Sequence, residues 1–254
     1  MSAANEILDK DLTSLACLAN LPYYFLLVNF YEIHLFTAAL AFLIDVSTIG
    51  IPFFFTRRNI HAHDAPFVKT PNQEVAQDAS VWYLQALFGA TIYAVVVYAS
   101  LTSWLPVYIV THFDGVRSMR GAHDASVPAL IAVFVPVGLA VAQFLFTPAI
   151  GSRGNPGITD PALKPETARF DAERATFGQT LAWNLGFGKD GFTKRAEVLA
   201  KRSAVLIVSS VVNTFFRTVM TIDGSEVTGA LGWAGVWGLA AAVTGLGFAW
   251  TVNE

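Results

Sequence analysis

The residues of this chain whose types suit chemistry are a few acids, histidines and one arginine set among long apolar stretches. Glu32, His34 and Asp45 carry the groups used in general acid and base catalysis. Glu32 and His34 are two residues apart, so on a helix they diverge by about 200°, and only a turn would let them converge. No catalytic motif joins the three, which are therefore catalytic candidates by residue type alone.

His61, His63 and Asp64 are the nearest approach to a metal-ligand cluster in the sequence. Histidine and carboxylate groups bind transition metals, but membrane di-iron enzymes need several histidine boxes, and this run stands alone. A solvated loop beside the membrane is the favoured interpretation. The run Gly186–Gly191 lacks the first glycine and the Ser or Thr that a phosphate loop requires. We therefore expect no cofactor.

A polar stripe surrounds Arg217, the only Lys or Arg inside the apolar stretches. Ser209, Asn213 and Arg217 are spaced by four and share one face of a helix. Because charge inside a membrane is costly, these residues and Asp45 form the candidate intramembrane site. An ion pair between Asp45 and Arg217 would fix helix order, with Glu32 as a competing partner. The alternatives are a polar pathway or substrate site, and an Arg217 that reaches the interface alone.

Five apolar stretches, each close to bilayer length, must position these residues. A helix rises about 1.5 Å per residue and the hydrocarbon core is about 30 Å thick, so roughly 20 apolar residues span it. Hydrophobic residues make up 54% of the 254 residues and charged residues 14%, against roughly 25% charge in a soluble domain. The sequence predicts an all-α integral membrane protein, with one transmembrane domain over residues 1–254. The stretches are Ile33–Phe55, Val81–Ile109, Val127–Ile150, Ser203–Ile222 and Val227–Val252.

The number of crossings depends on residues 12–55, which are too many for one helix. A hairpin would contain a crossing over residues 14–29, a turn near Glu32 and a crossing over residues 35–55. The alternative is an interfacial or re-entrant helix over Leu12–Tyr31. We expect a bundle of five or six transmembrane helices and favour six. The remaining predicted crossings are 81–105, 127–150, 203–222 and 227–252.

Basic residues are distributed unevenly among the loops. Residues 151–202 hold nine Lys and Arg, residues 56–80 hold three, and residues 112–126 hold two. Loops rich in Lys and Arg stay on the cytoplasmic side of a membrane. We expect the two more basic loops and the C-terminus to lie on the cytoplasmic-type side. The net charge of −3 gives no argument for a nucleic-acid partner.

The long basic loop contains a helical pattern. Its apolar residues Phe170, Phe177, Leu181 and Leu185 are spaced by seven, four and four. This spacing predicts an amphipathic helix over Glu166–Leu185 on the cytoplasmic side, lying on the membrane surface or packed on the end of the bundle.

A ridge of small residues runs along the last apolar stretch. Ala230, Ala234, Gly238 and Ala242 follow each other at a spacing of four. Small side chains let another helix approach closely, and close packing drives helix association in lipid. Internal packing is the favoured interpretation, and contact with another subunit is the alternative.

Three classes of function fit these observations. The favoured class is a non-catalytic membrane subunit, scaffold or assembly factor that acts through helix packing. A small channel or transporter would use a polar path at Asp45, Asn213 and Arg217. A membrane-embedded enzyme would use Glu32, His34 and Asp45 on a lipid or isoprenoid. The expected partners are the lipid bilayer and other membrane subunits or a second copy of the chain.

Overall fold

Helices form nearly all of the computed structural model, which describes residues 2–57, 78–151, 175–188 and 191–253. A π-helical turn lies at Ala142–Phe146, and two short strands at residues 187–188 and 191–192 pair as an antiparallel hairpin. The helices are α1 (Ser2–Phe30), α2 (Leu35–Arg57), α3 (Ala79–Thr102), α4 (Leu105–His112), α5 (Arg120–His123), α6 (Val127–Val141), α7 (Thr147–Gly151), α8 (Phe177–Asn184), α9 (Lys194–Thr221) and α10 (Val227–Asn253); the strands are β1 (Phe187–Gly188) and β2 (Gly191–Phe192).

Six helical segments among the described residues are long and apolar enough to cross a membrane. The predicted all-α bundle is therefore confirmed, and residues 12–55 fold as the predicted helical hairpin. The segments are Asp11–Phe30, Leu35–Pro52, Ala79–Thr102, Val127–Ile150, Arg195–Thr221 and Val227–Val252.

The turn between α1 and α2 is built around Glu32. Its φ of 53° lies in the left-handed region, where most side chains are disfavoured. The N–H groups of Tyr31 and Ile33 both donate to the Leu27 carbonyl, which closes the end of α1. Pro22 lies inside α1, and the Trp233 indole N–H donates to its carbonyl at 3.1 Å. This bond ties the middle of α1 to α10.

The crossing predicted over residues 81–105 corresponds to α3, which stops at Thr102, and a separate short helix, α4, starts at Leu105. Pro106 has no N–H to donate to the carbonyl of Thr102, four residues earlier. The hydroxyls of Thr102 and Ser103 donate to the carbonyls of Tyr98 and Ala99 at the end of α3. The chain therefore breaks into two helices.

The described residues cover only the C-terminal part of the helix predicted over Glu166–Leu185. Residues 166–174 lie outside the described residues, and residues 175 and 176 are not helical. Thr176 and Gln179 form a capping box, in which each side chain accepts from the other residue's N–H, and α8 begins at Phe177. Phe177 is 84% exposed. Leu185, at the other end of the described stripe, packs against the hydrophobic core, so both the membrane-surface and the end-of-bundle interpretations stay open.

Helix α9 begins nine residues before the predicted crossing over residues 203–222. The Thr193 hydroxyl accepts the N–H of Ala196 at 3.2 Å and caps the helix. Lys201 and Glu197, one turn apart, form an ion pair on its exposed first turns. The predicted crossing is thus the inner part of a longer helix.

Aromatic side chains fill the centre of the bundle. Trp233 and Trp237 on α10 are almost fully buried, with ring centroids 5.9 Å apart. Phe25 from α1 stacks on Trp233, and Phe134 from α6 meets Trp237 edge to face. These contacts bury large apolar areas. They hold α1, α6 and α10 in a fixed arrangement, against which α9 and α2 position the polar residues described next.

Candidate functional site

Three helices bring polar side chains together within the apolar part of the bundle. Helix α1 supplies Asn20 and Tyr24, which are spaced by four and share one helix face. Helix α2 supplies Asp45, and α9 supplies Asn213 and Arg217. These five residues are called the polar cluster below.

Arg217 is the centre of the polar cluster. Its Nη2 lies 2.6 Å from Asp45 Oδ2 and donates to the Tyr24 hydroxyl at 3.2 Å. Its Nη1 donates to Asn20 Oδ1 at 2.6 Å. The Tyr24 hydroxyl in turn donates to Asp45 Oδ2 at 2.6 Å. One guanidinium and one carboxylate therefore connect α1, α2 and α9, and Glu32 takes no part in the pair.

The two asparagines extend the polar cluster along α1. Asn20 Nδ2 donates to the Ala16 carbonyl at 2.8 Å, and Asn213 Nδ2 donates to the Ala19 carbonyl at 2.8 Å. Asn20 Oδ1 accepts from Asn213 at 3.1 Å as well as from Arg217. Asn20 is 8% exposed. Its amide thus has partners for its donor and acceptor, as a buried polar group requires.

Aromatic rings cover the guanidinium. The Arg217 Cζ atom lies 4.8 Å from the Tyr23 ring centroid and 5.2 Å from that of Tyr24. Both distances allow a cation–π interaction. The Tyr24 ring also meets the Phe42 ring of α2 edge to face at 5.7 Å. The charge is therefore partly shielded by side chains of this chain.

The cluster is not closed on all sides. The Asp45 and Arg217 side chains are 32% and 27% exposed. Ser209, the third member of the predicted stripe, is half-buried, and within the described part of the chain its hydroxyl has no hydrogen bond to the cluster. The chemistry of the arrangement is that of a hydrogen-bonded ion pair joining helices.

The other catalytic candidates are not brought to Asp45. Glu32 and His34 are exposed and precede the first turn of α2, so Asp45 lies about 15 Å further along the helix. His34 Nδ1 accepts the N–H of Phe36 at 3.3 Å. The convergence that an acid–base site needs is thus absent among these three described residues.

The metal-ligand candidates His61, His63 and Asp64 lie outside the described residues. Within the described ranges, no group of three or more His, Cys, Asp or Glu is placed to hold a metal ion.

The ridge of small residues faces the interior of the bundle. Ala230 and Ala234 are fully buried, and Ala242 is half-buried. A Cβ atom on Gly238 would come within 2.6 Å of Val211 Cγ2 on α9. At Gly238 the ridge therefore lies directly against another helix of the same chain.

A second ion pair, which sequence reasoning missed, lies near the basic loops. Arg202 Nη2 lies 2.7 Å from Asp11 Oδ2, and Arg202 Nη1 donates to the Phe144 carbonyl at 2.9 Å. Pro148 has no N–H to offer to that carbonyl, four residues earlier. Arg202 thus joins α1 and α9 to the π-helical turn. Because proline has no N–H, Pro148 is the one sequence signal that the Phe144 carbonyl lacks its usual helical donor.

The opposite end of the bundle is held by loop contacts. His112 Nδ1 lies 2.6 Å from Glu226 Oε2, and the Tyr108 hydroxyl donates to the Thr228 carbonyl at 2.6 Å. The hydrogen bonds from His112 and Thr228 lower the pKa of the Glu226 carboxyl below its ordinary value. The N–H of Arg117 donates to the Phe30 carbonyl at 2.9 Å. This end therefore connects α1, α4 and α10.

Comparison with known proteins adds a family to this geometry. The family model of the Bouquet formation protein 3 C-terminal domain matches residues 78–251, which run from α3 to α10. The chain belongs to this family. No curated protein and no solved structure matches the chain.

Membership of the Bouquet formation protein 3 family indicates a structural or assembly role in a membrane-associated protein. The matched region contains α9 with Asn213 and Arg217. Helices α1 and α2, with Asn20, Tyr24 and Asp45, precede it. The polar cluster thus joins the family domain to the helical hairpin before it.

Proposed function

We propose that this chain is a non-catalytic membrane subunit, scaffold or assembly factor that takes part in bouquet formation through helix packing. The proposal rests on the observation that the polar groups within its apolar segments form hydrogen bonds and an ion pair with each other. Arg217 binds Asp45, Asn20 and Tyr24, and in doing so it fastens three helices. Together with the family, this points to a rigid scaffold.

The same contacts give less support to a channel, a transporter or an enzyme. A polar path needs groups that exchange partners with an ion or substrate. Here the Asn20 oxygen and the Arg217 guanidinium are occupied by other side chains of the chain. The acid–base candidates Glu32 and His34 lie near the end of the bundle, away from Asp45.

We further propose that residues 1–254 form a single domain. Leu26 and Phe30 of α1 are fully buried, and the Phe30 ring meets the Trp233 ring of α10. Helix α1 therefore shares a core with the region that the family model matches.

The six apolar segments are proposed to cross a membrane, with the basic loops on its cytoplasmic-type side. The start of α9 and the end of α10 lie at the same end of the bundle, because Arg195 donates to the Val252 carbonyl. Arg202 pairs with Asp11 near the same end.

We expect Ser80 and Asn253 to lie on the same side of the membrane and Asp223 on the other. In a variant with Cys17→Ala, single cysteines at these three positions are treated with an impermeant thiol reagent in sealed vesicles. Ser80→Cys and Asn253→Cys should label alike, and Asp223→Cys only after the vesicles are opened. Opposite labelling of Ser80→Cys and Asn253→Cys would refute the proposed crossings.

The proposed function is tested by purifying the tagged chain from its own membranes in a mild detergent. Native mass spectrometry should detect a complex in which this chain is bound at fixed stoichiometry to at least one other membrane protein. The complex should withstand moderate salt, since apolar helix packing is not screened by ions. A chain that is always recovered alone would contradict the assembly role.

A further inference from the structure

Two helices of the bundle are covered far less than the others. In the apolar stretch of α2 only 6% of the residues are buried, and in that of α9 only 22%. In the other four membrane-length stretches 44–56% of the residues are buried. Both helices pack on α1, and Asp45 and Arg217 meet between them. We call the surface on either side of this pair the α2/α9 face. It is formed by Thr48 and Ile49 on α2 and by Val212, Phe216 and Met220 on α9.

The α2/α9 face has exposed apolar side chains, and a shallow groove formed by α2 alone adjoins it at Thr48. Ile49 on α2 is 39% exposed, and Met220 on α9 is 76% exposed. An open groove runs along α2 from Leu40 to Pro52, and its lining is apolar apart from Ser47 and Thr48. The shape and composition of this face suit another helix.

Asp45 carries an unused acceptor on this face. Its Oδ2 accepts a hydrogen bond from the Tyr24 hydroxyl and pairs with Arg217. Among the residues that the structure describes, no donor lies within hydrogen-bond distance of its Oδ1. Asp45 is the eleventh residue of the 18-residue segment Leu35–Pro52, which places it about 15 Å into the proposed bilayer. The short aspartate side chain cannot reach the interface from that depth. A partly exposed carboxylate oxygen there calls for a hydrogen-bond donor.

We propose that the α2/α9 face is the docking site for a transmembrane helix of a partner protein, and that this helix donates a hydrogen bond to Asp45 Oδ1. The inference rests on the proposed assembly function and names its surface. The donor is a Ser, Thr, Asn, Gln, Lys or Arg on an otherwise apolar segment. Acyl chains of lipids have no donor, so lipid leaves the oxygen unpaired.

A second copy of this chain fits the face less well. A two-fold axis normal to the membrane brings groups of equal depth together. Two Asp45 acceptors would then face each other. The Ser209 hydroxyl lies two helical turns from Arg217, about 12 Å away along α9. The nearby Thr48 hydroxyl already donates to the Asp45 carbonyl. The face therefore offers an acceptor without a matching donor at that depth.

The test places the photocrosslinker p-benzoylphenylalanine at Ile49 and Met220 of the full chain in its own membranes. Leu87 on α3 and Leu246 on α10, which are 49% and 58% exposed, are the matched control positions. We expect protein adducts at Ile49 and Met220 to be at least about tenfold stronger than at the controls, which corresponds to about 1.4 kcal/mol of preference. Mass spectrometry should map them to an apolar segment with a donor residue. Replacing that donor with leucine should lower the adduct yield by a similar factor.

Each other outcome overturns the docking site. Adducts with lipid alone, with another copy of this chain, or with a segment that has no donor would exclude the proposed occupant. Protein adducts that are equally strong at Leu87 and Leu246 would show that the partner does not bind specifically at the α2/α9 face. They would not contradict the assembly function. The assembly function itself is contradicted by a different result, namely native mass spectrometry that always finds the chain alone.

Discussion

Replacing Arg217 with glutamine is expected to destabilise the folded protein by about 3 kcal/mol, because it leaves the Asp45 carboxylate without its cation. The change also removes the donors to Asn20 and Tyr24. Asp45→Asn should have a smaller effect, about 1 kcal/mol, since its side-chain oxygen can still accept from Tyr24. The measurement is the fraction of folded protein that remains in detergent after heating, followed by size-exclusion chromatography.

The double variant Asp45→Asn, Arg217→Gln should be no less stable than Arg217→Gln alone. The two residues share one interaction, so their separate losses should not add. Ser209→Ala is the matched control, because Ser209 lies on the same stripe of α9 outside the hydrogen bonds of the cluster. It should change the free energy of unfolding by less than about 0.5 kcal/mol. Strictly additive losses for Asp45 and Arg217 would show that their contact contributes nothing to stability.

The meeting of Asp45 and Arg217 could be anticipated from the sequence because charge is rare inside apolar segments. Each charge there needs a partner, and few candidates exist at similar depth. Asn20 and Tyr24 were missed for the opposite reason. Uncharged polar residues such as these are common in helices, and the sequence leaves open whether residues 12–31 cross the membrane. Only the packing of α1 between α2 and α9 gives them their role.

The ion pair between Asp11 and Arg202 shows a second limit of sequence reasoning. A basic residue at the end of an apolar segment is indistinguishable from the flanking charge that sets orientation. The pair depends on α9 beginning at Lys194 and on α1 extending past Asp11. Both ends are decided by capping and tertiary contact rather than by hydropathy. The same holds for the capped start of α8 at Phe177.

A close contact between α3 and α6 was also absent from the sequence prediction. The small-residue ridge of α10 was found by its spacing, but α3 and α6 approach through a less regular set. Ala86 and Ala90 of α3 are buried, and Gly138 of α6 lies opposite them. A Cβ atom on Gly138 would overlap the backbone carbonyl of Ala86. One glycine between larger residues gives no periodic signal, although it fixes how near two helices lie.

Gly138→Val is therefore expected to abolish most folded protein. The added side chain meets backbone, which cannot rotate away, so α3 and α6 must separate. Overpacking of a core commonly destabilises by about 1 to 3 kcal/mol even where side chains can adjust, and a clash with backbone leaves less room. Gly138→Ala should already lower the thermal midpoint. Both effects are measured by the recovery of monodisperse protein from membranes and by its unfolding on heating.

Gly235→Ala on α10 is the matched control, because among the described residues a Cβ atom there would have no atom within 4 Å apart from its chain neighbours and the nearby backbone of its own helix. Since alanine favours a helix over glycine by about 1 kcal/mol, this variant should be as stable as the original chain or more so. The contrast separates a close helix approach from a general need for glycine in these helices. If Gly138→Val and Gly235→Ala were recovered equally well, α3 and α6 would not approach as closely as described, and the packing that supports α10 from that side would need revision.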